Sequence, residues 1–311
     1  MERIRHSRKL QARADAERAA GHRIALVPTM GALHEGHLSL IAQARKHADR
    51  VWVSIFVNPA QFNKKSDFES YPADFEADWE ACERAGADVV FTPSSAELYP
   101  AGAQTWVDVD RLSLPLCGAT RPGHFRGVAT VVTKLLVAAR PHVLVLGEKD
   151  FQQLVVLRRL VIDLGFDVEV VGAPTVREPD GLALSSRNVR LGPVARSRAT
   201  VVVRALDAAE AMLRAGERDR DRLLERVRET LAETPEAEID YAELRDPMTL
   251  ELASERLAGP VVLALAVRFP ADPDGQGAPV RLIDNRVLNA LPATASEAAD
   301  RNESLILEEC S

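Results

Sequence analysis

Two histidines, His34 and His37, flank Gly36 in the run Ile24-Ala-Leu-Val-Pro-Thr-Met-Gly-Ala-Leu-His-Glu-Gly-His-Leu-Ser-Leu-Ile41. Three-residue spacing puts both imidazoles on one side of a helical turn, where they can share a ligand. Imidazoles there can donate to phosphate oxygens or stabilise charge that builds on them during transfer. Gly36 has no Cβ, so a flat or bulky group such as a nucleotide can approach the backbone closely. Two other readings stand beside this one. The pair can be solvated in a first helical turn, or it can hold a metal. A metal needs a third ligand, and only Glu35 is at hand, pointing elsewhere.

Three further groups could act on the same ligand. Gly147-Glu148-Lys149-Asp150 follows the apolar run His142–Leu146. A lysine at a helix start is disfavoured unless an anion is present, and Asp150 can accept from ribose hydroxyls. Gln153, four residues beyond Lys149, shares its helix face. Ser185, Ser186, Arg187 and Asn188 form a compact set of phosphate donors, or a plain helix cap. Asn58 and Gln61 follow the apolar run Val51–Val57 and offer uncharged donors and acceptors, or a common Asn-Pro turn. The stretch 116–127 has three glycines and two arginines, Arg121 and Arg126. It reads as a mobile loop whose cations could close over a phosphate-bearing ligand, or as a solvated basic loop.

The elements that must position these groups follow from periodicity. Ile24–Val27 reads as a buried strand, Pro28–Gly31 as a turn and the segment from Leu38 as a helix. The histidines then lie at a strand-to-helix junction, where unpaired N–H groups and the positive helix end favour an anion. Strands are expected at Val51–Val57, Asp88–Phe91, His142–Leu146 and Asp167–Val171, with a short extended piece at Trp106–Val109. Helices are expected at 2–20, 74–85, 128–139 and up to Leu164. The alternation predicts an α/β fold, a Rossmann-like doubly wound parallel sheet. After Pro193 two Arg/Glu/Ala-rich helices (194–215 and 219–232) and three strands (238–244, 261–268, 280–283) predict a smaller α+β unit. Expected boundaries are 1–176, 177–291 and an acidic, disordered tail at 292–311.

Composition narrows the function. The chain has 311 residues, 46% of them hydrophobic, enough for two cores. A net charge of −7 and the lack of a basic block interleaved with aromatics argue against a nucleic-acid or membrane surface partner. Three scattered cysteines, Cys82, Cys117 and Cys310, suggest no disulfide framework or zinc site and fit the cytoplasm. The first twenty residues are charged, and no apolar run reaches membrane-spanning length.

His34-x-Gly36-His37 resembles the first signature of the nucleotidyltransferase superfamily, and Leu184-Ser185-Ser186-Arg187 resembles the second. Five motifs in order narrow the likeness: Pro28–His37, Phe56–Phe62, Arg121–Gly127, Gly147–Gln153 and Ser185–Asn188 together resemble the pantothenate synthetase family over about residues 1–290. The resemblance implies an ATP-dependent condensation of (R)-pantoate with β-alanine through a pantoyl adenylate, releasing AMP and pyrophosphate. It also implies Mg²⁺ on the phosphates and a homodimer formed through the first unit.

By the same resemblance, Met30, Gly31, Ala32, Leu33, His34, Glu35, Gly36 and His37 would wrap ATP. Gly147 and Asp150 would take the ribose, Lys149 the phosphates and Val176 the adenine, with Glu148 also in the ATP site. Leu184, Ser185, Ser186 and Arg187 would close on the triphosphate. Asn58, Gln61, Gln153 and Arg121 would bind the other substrates. His34, His37, Lys149 and Arg187 would be catalytic, with no protein-held metal. Leu184 stands where many relatives have methionine, and Cys117 where some have glutamate. Another nucleotidyltransferase, an aminoacyl-tRNA synthetase, against which the short, acidic chain counts, and a nucleotide-sensing regulator are the rival readings.

Overall fold

The computed structural model describes residues 1–63, 68–69, 71–72 and 74–290, so the expected tail and Cys310 lie outside the described residues. Six short strands make one sheet: β1 (Glu2–Ile4), β2 (Ile24–Thr29), β3 (Arg50–Ile55), β4 (Val89–Phe91), β5 (Val143–Gly147) and β6 (Glu169–Ala173). Their order is β1-β4-β3-β2-β5-β6, and every neighbouring pair is parallel. The strands are apolar on both faces because helices cover both. Ile24, Leu26, Trp52 and Leu144 face a core shared with α1 (Ser7–Ala19), α6 (His124–Ala139) and α7 (Phe151–Asp163). The alternate residues Ala25, Val27, Val51, Val53 and Val143 face α2 (Glu35–His47) and α3 (Phe75–Arg84). Two short helical turns, α4 (Ser95–Leu98) and α5 (Cys117–Thr120), lie in the connection between β4 and α6.

The second part of the chain builds its own core. Helices α8 (Pro193–Arg198), α9 (Val201–Arg214) and α10 (Arg220–Ala232) pack on β7 (Glu238–Arg245), β8 (Pro260–Phe269) and β9 (Val280–Asn289). This sheet is antiparallel, in the order β7-β8-β9. The α/β expectation with a smaller α+β unit therefore holds.

Several expected elements differ. The helix placed at 2–20 is a strand followed by a helix. Glu2–Ile4 adds to the sheet edge by pairing with Val89–Phe91, a long-range contact that three residues of local pattern cannot announce. The helix placed at 194–215 breaks between Arg198 and Val201, and β9 runs on to Asn289. Trp106–Val109 joins no strand ladder. The stretch 116–127 is packed, with Cys117, His124 and Phe125 buried. Its last glycine serves close approach: a Cβ on Gly127 would stand 2.3 Å from the Ala60 carbonyl oxygen, so α6 seats directly on the 59–61 turn.

Strand order also fixes where a ligand can lie. From β2 the chain moves outward to β3 and β4 on one side, then returns to start β5 and β6 on the other. The β2–β5 ladder covers only Ala25↔Val143 and Leu26↔Leu144, whereas β2–β3 continues to Thr29↔Ile55. Pro28, with no N–H to donate, stands where the β5 side has parted. A crevice thus opens at the carboxyl ends of β2 and β5, the topological switch point of the sheet.

Candidate active site

Both glycine-bearing turns empty into that crevice, and a cavity of about 230 Å³ fills it. His34, Gly36 and His37 line it from the start of α2, and Gly147, Lys149, Asp150 and Gln153 from the end of β5 and the start of α7. Val176, Leu184, Ser185, Ser186 and Arg187 close the side toward the second unit. Met30, Asn58, Gln61 and Arg121 complete the set of expected site residues in the wall.

The remaining expected residues sit behind it. Gly31, Ala32 and Leu33 form the turn after β2, and the buried Asp78 of α3 holds them. Its two carboxylate oxygens accept the Ala32 N–H at 3.0 Å and the Leu33 N–H at 2.7 Å. Ala32 has a left-handed φ of +51°, a strained conformation that these two bonds stabilise. The Gly31 N–H goes to the Thr29 hydroxyl at 3.3 Å, so all three N–H groups of this turn are spent within the protein and the turn shapes the cavity without serving as its anion donors. Glu35 is exposed. Glu148 turns its side chain toward Gly172, and its carbonyl accepts from Asn285.

The two histidines are fixed by the helix start itself. His34 caps α2, with Nδ1 accepting the Gly36 N–H at 3.1 Å, and His37 Nδ1 accepts the His34 N–H at 3.3 Å. Their rings lie 4.2 Å apart. Because each Nδ1 accepts, each neutral ring carries its proton on Nε2 and offers that N–H to a ligand. Burial, with His34 and Lys149 nearby, pushes His37 down to about 3, and burial with Lys149 lowers His34 as well. At neutral pH the pair therefore acts as neutral hydrogen-bond donors, and charge comes from Lys149 and Arg187. Asp150 is the one carboxylate lining the cavity among the described residues, 3.7 Å from Lys149 Nζ. Desolvation works against its ionisation, yet Lys149 and Arg187 outweigh it and hold the carboxyl below its usual range.

The second unit fastens two of the cavity walls. Asn285 of β9 donates to the Glu148 and Lys149 carbonyls, each at 2.9 Å, and so pins the turn that carries the lysine. Its neighbour Asp284, buried, receives both Arg177 guanidinium nitrogens at 2.6 and 3.0 Å. Arg177 in turn donates to the Gly181 carbonyl, closing a hairpin in which Leu184 N–H reaches the Val176 carbonyl at 2.9 Å. Val176 and Leu184 therefore face the cavity together. Asn188 does not line the cavity; its amide donates to Glu178 and to the Ala183 carbonyl.

Some wall residues were not among those expected. Pro28, Ser54, Phe56, Val128, Val131 and Val132 make an apolar inner end, with the Ser54 hydroxyl buried there without a partner. Thr29, Tyr71 and His124 also line the cavity. His124 is pushed down to about 4 by burial and by Arg121, and its Nδ1 meets the Gln61 carbonyl at 2.8 Å. The signal for the inner end was the apolar character of 128–139, which reads as ordinary core until the crevice is placed beside it. Gln152 and Gln153 divide their work: Gln153 faces the cavity, whereas Gln152 is buried and ties down Leu112, Pro115 and Cys117. No helix is long and apolar enough to cross a membrane among the described residues.

Comparison with known proteins gives a consistent result. The sequence profile described as Pantoate-beta-alanine ligase matches residues 2–287. A pantothenate synthetase of Geobacter sulfurreducens is 52% identical over 282 residues, covering 90% of this chain and 95% of that protein. One of Salinibacter ruber is 48% identical over 302 residues, covering 95% of this chain and 100% of that protein. The crystal structure of pantothenate synthetase from Thermus thermophilus superposes with a TM-score of 0.85 at 44% identity, covering 94% of this chain and 100% of that one. A pantoate-beta-alanine ligase from Francisella tularensis, complexed with beta-gamma ATP and beta-alanine, superposes at 0.72 with 32% identity, covering 92% of this chain and 97% of that one. With the profile spanning nearly the whole chain, and relatives near half identity matching it almost end to end, the chain belongs to the pantoate-β-alanine ligase family.

Proposed function

We propose that this cavity condenses (R)-pantoate with β-alanine at the expense of ATP. The observation that carries the reading is the division of the cavity into a cationic mouth and an amide-lined, apolar inner end. His34, His37, Lys149, Ser185, Ser186 and Arg187 take the triphosphate at the mouth, with Asp150 and Gly147 beside the ribose and Val176 and Leu184 against the adenine. Met30 and Gly36 complete the ATP wall, and the turn 31–33 shapes it. Gln61 and Gln153 hold pantoate's oxygens, Arg121 braces Gln61 through its carbonyl at 3.1 Å, and the apolar end takes the dimethyl carbon. Asn58, whose amide is spent within the protein, sets Gln61.

In the first step a pantoate carboxylate oxygen attacks the α-phosphorus, the bond to the bridging oxygen breaks, and pyrophosphate leaves. The nucleophile is already an anion, so no strong base is needed. The site must align two anions and absorb charge moving onto pyrophosphate, which His37 and His34 N–H groups, Lys149 and Arg187 can do. In the second step the β-alanine nitrogen attacks the pantoyl carbonyl, the acyl C–O bond breaks, AMP departs, and the nitrogen gives up a proton. Among the described residues there is no group of three or more His, Cys, Asp or Glu able to hold a metal. Mg²⁺ would be carried by the phosphates and neutralise their charge, with Asp150 the lining carboxylate that could help to hold it. The same reading divides the protein into units 1–176 and 177–291 that meet over the cavity. It also places the protein in the cytoplasm as a homodimer joined through the first unit, an assembly that light scattering tests.

The decisive assay is exchange of labelled pyrophosphate into ATP with Mg²⁺ and without β-alanine. Exchange that depends on pantoate, followed by AMP and pantothenate on adding β-alanine, is the expected outcome. Folded, ATP-binding protein that gives no pantoate-dependent exchange would overturn the acyl-adenylate reading.

A further inference from the structure

Asn58 lies 1% exposed at the end of β3, and its amide has a partner for each of its four hydrogen-bonding positions. Oδ1 accepts the Ala60 N–H at 3.3 Å and the Tyr99 hydroxyl at 2.9 Å. Nδ2 donates to the Gly127 carbonyl at 3.0 Å and to Gln61 Oε1 at 3.0 Å. The two backbone partners set the direction, since an N–H can only donate and a carbonyl can only accept. Turning the amide over would put nitrogen against N–H and oxygen against oxygen. The polarity passes on: Gln61 must accept with Oε1 and so has Nε2 to offer, which stands 3.0 Å from the Met30 sulfur. A thioether is a weak acceptor that a substrate oxygen outcompetes.

We propose that Tyr99, outside the cavity, is the positioning residue that holds the Asn58 amide steady in the direction its backbone partners set, so that through this relay Gln61 presents an N–H donor to a substrate carboxylate or hydroxyl oxygen. The inference rests on the reading of Gln61 as a pantoate contact. Of the two donors to Asn58 Oδ1, the Tyr99 hydroxyl is the shorter. Burial pushes that hydroxyl up to about 12, so it stays a donor throughout the assay range. The ring is held independently of the relay: it stacks on Trp106 at 6.1 Å, tilts against Phe56 at 6.5 Å and lies 5.1 Å from Lys134 Nζ. Removing the hydroxyl alone therefore loosens the amide without removing its support.

The test is Tyr99→Phe, Gln61→Ala and the double variant, with the Michaelis constants for pantoate and ATP read separately in pyrophosphate exchange. Tyr99→Phe should raise the pantoate constant roughly fivefold to tenfold, the scale of one hydrogen bond, leave the ATP constant near wild type and lower the thermal midpoint by no more than about 4 °C. Added to Gln61→Ala, it should have no further effect on the pantoate constant, because the relay acts only through Gln61. A merely structural Tyr99 would move both constants alike, and additive effects in the double variant would equally overturn the proposal. Gln61→Ala sensitive with Tyr99→Phe silent rejects the relay alone. Gln61→Ala with an unchanged pantoate constant rejects the pantoate contact as well. Should Tyr99→Phe not fold, Asn58→Asp reads the next link: an oxygen facing Gln61 Oε1 must raise the pantoate constant selectively, and an equal rise for ATP refutes the relay.

Discussion

Replacing Asp78 tests whether the ATP turn is held from behind. The carboxylate takes two N–H groups, Ala32 at 3.0 Å and Leu33 at 2.7 Å, from a turn whose Ala32 backbone is strained. Asp78→Ala leaves both donors unpaired next to buried side chains. Hydrogen bonds to a charged group contribute ~1.5–3 kcal/mol each, so the loss is on the order of 3–6 kcal/mol. For a unit of this size that lowers the melting midpoint by on the order of 10 °C. Asp78→Asn should cost less, since one oxygen can still accept and an amide escapes the burial that raises the carboxyl's pKa. Function gives the sharper readout. The same turn leads into His34, so a slack turn should raise the ATP constant several-fold in both variants while the pantoate constant moves less. Melting by calorimetry and the two constants by pyrophosphate exchange decide it. Asp78→Ala with the wild-type midpoint and wild-type ATP constant would show that the turn holds itself.

Three more outcomes follow from the same geometry. His37→Ala and Lys149→Ala should each fold and lose about 10²-fold or more in exchange rate, the scale of one transition-state donor; near wild-type turnover in either removes that residue from the chemistry. Asn285→Leu, which frees the Glu148 and Lys149 carbonyls, should lower the exchange rate while the second unit stays folded by circular dichroism, and an unchanged rate would show that the lysine turn needs no help from β9. His37 is neutral in the fold with a value near 3 against an ordinary 6.5, so its contribution to stability is complete above about pH 6.5 and is lost as pH falls toward 3. At about pH 4.5 that is on the order of 3 kcal/mol, and urea unfolding at neutral and acid pH should show a shallower pH dependence for His37→Gln than for the unmodified protein.

The parts of the site legible in the sequence are those where one short stretch carries both structure and chemistry. The strand, glycine turn and helix around His34 and His37, and again around Lys149, announce themselves because the apolar run, the turn and the polar side chains are neighbours in the chain. The parts that were not legible depend on contacts between distant segments. Asp78 looks like any residue of an amphipathic helix until α3 places it behind the 31–33 turn. Ser54 sits in the middle of an apolar strand, and only the parting of β2 from β5 turns its side chain into cavity wall. The stretch 116–127 misled for a physical reason: its glycines read as freedom, yet Gly127 is there for contact and Gln152 ties the segment down. Glu2–Ile4 was lost because an edge strand of three residues gains its stability from its partner strand.

The same long-range contacts explain why the cavity needs both parts of the chain. Histidines, amides and lysine all come from the large sheet, where a parallel fold opens a crevice at its switch point regardless of what lies beyond. Yet the lysine turn and the Val176–Leu184 hairpin are held by adjacent residues of one strand, Asn285 and Asp284 of β9. A displacement of that strand would act on the turn that presents Lys149 and on the hairpin that carries Val176 and Leu184 together. The two walls therefore share one support, which fixes Lys149 and the hairpin relative to each other across the cavity. Under the proposed reaction, whose adenylate water destroys, a shared support would keep the groups that act on ATP aligned while the hairpin shields the intermediate.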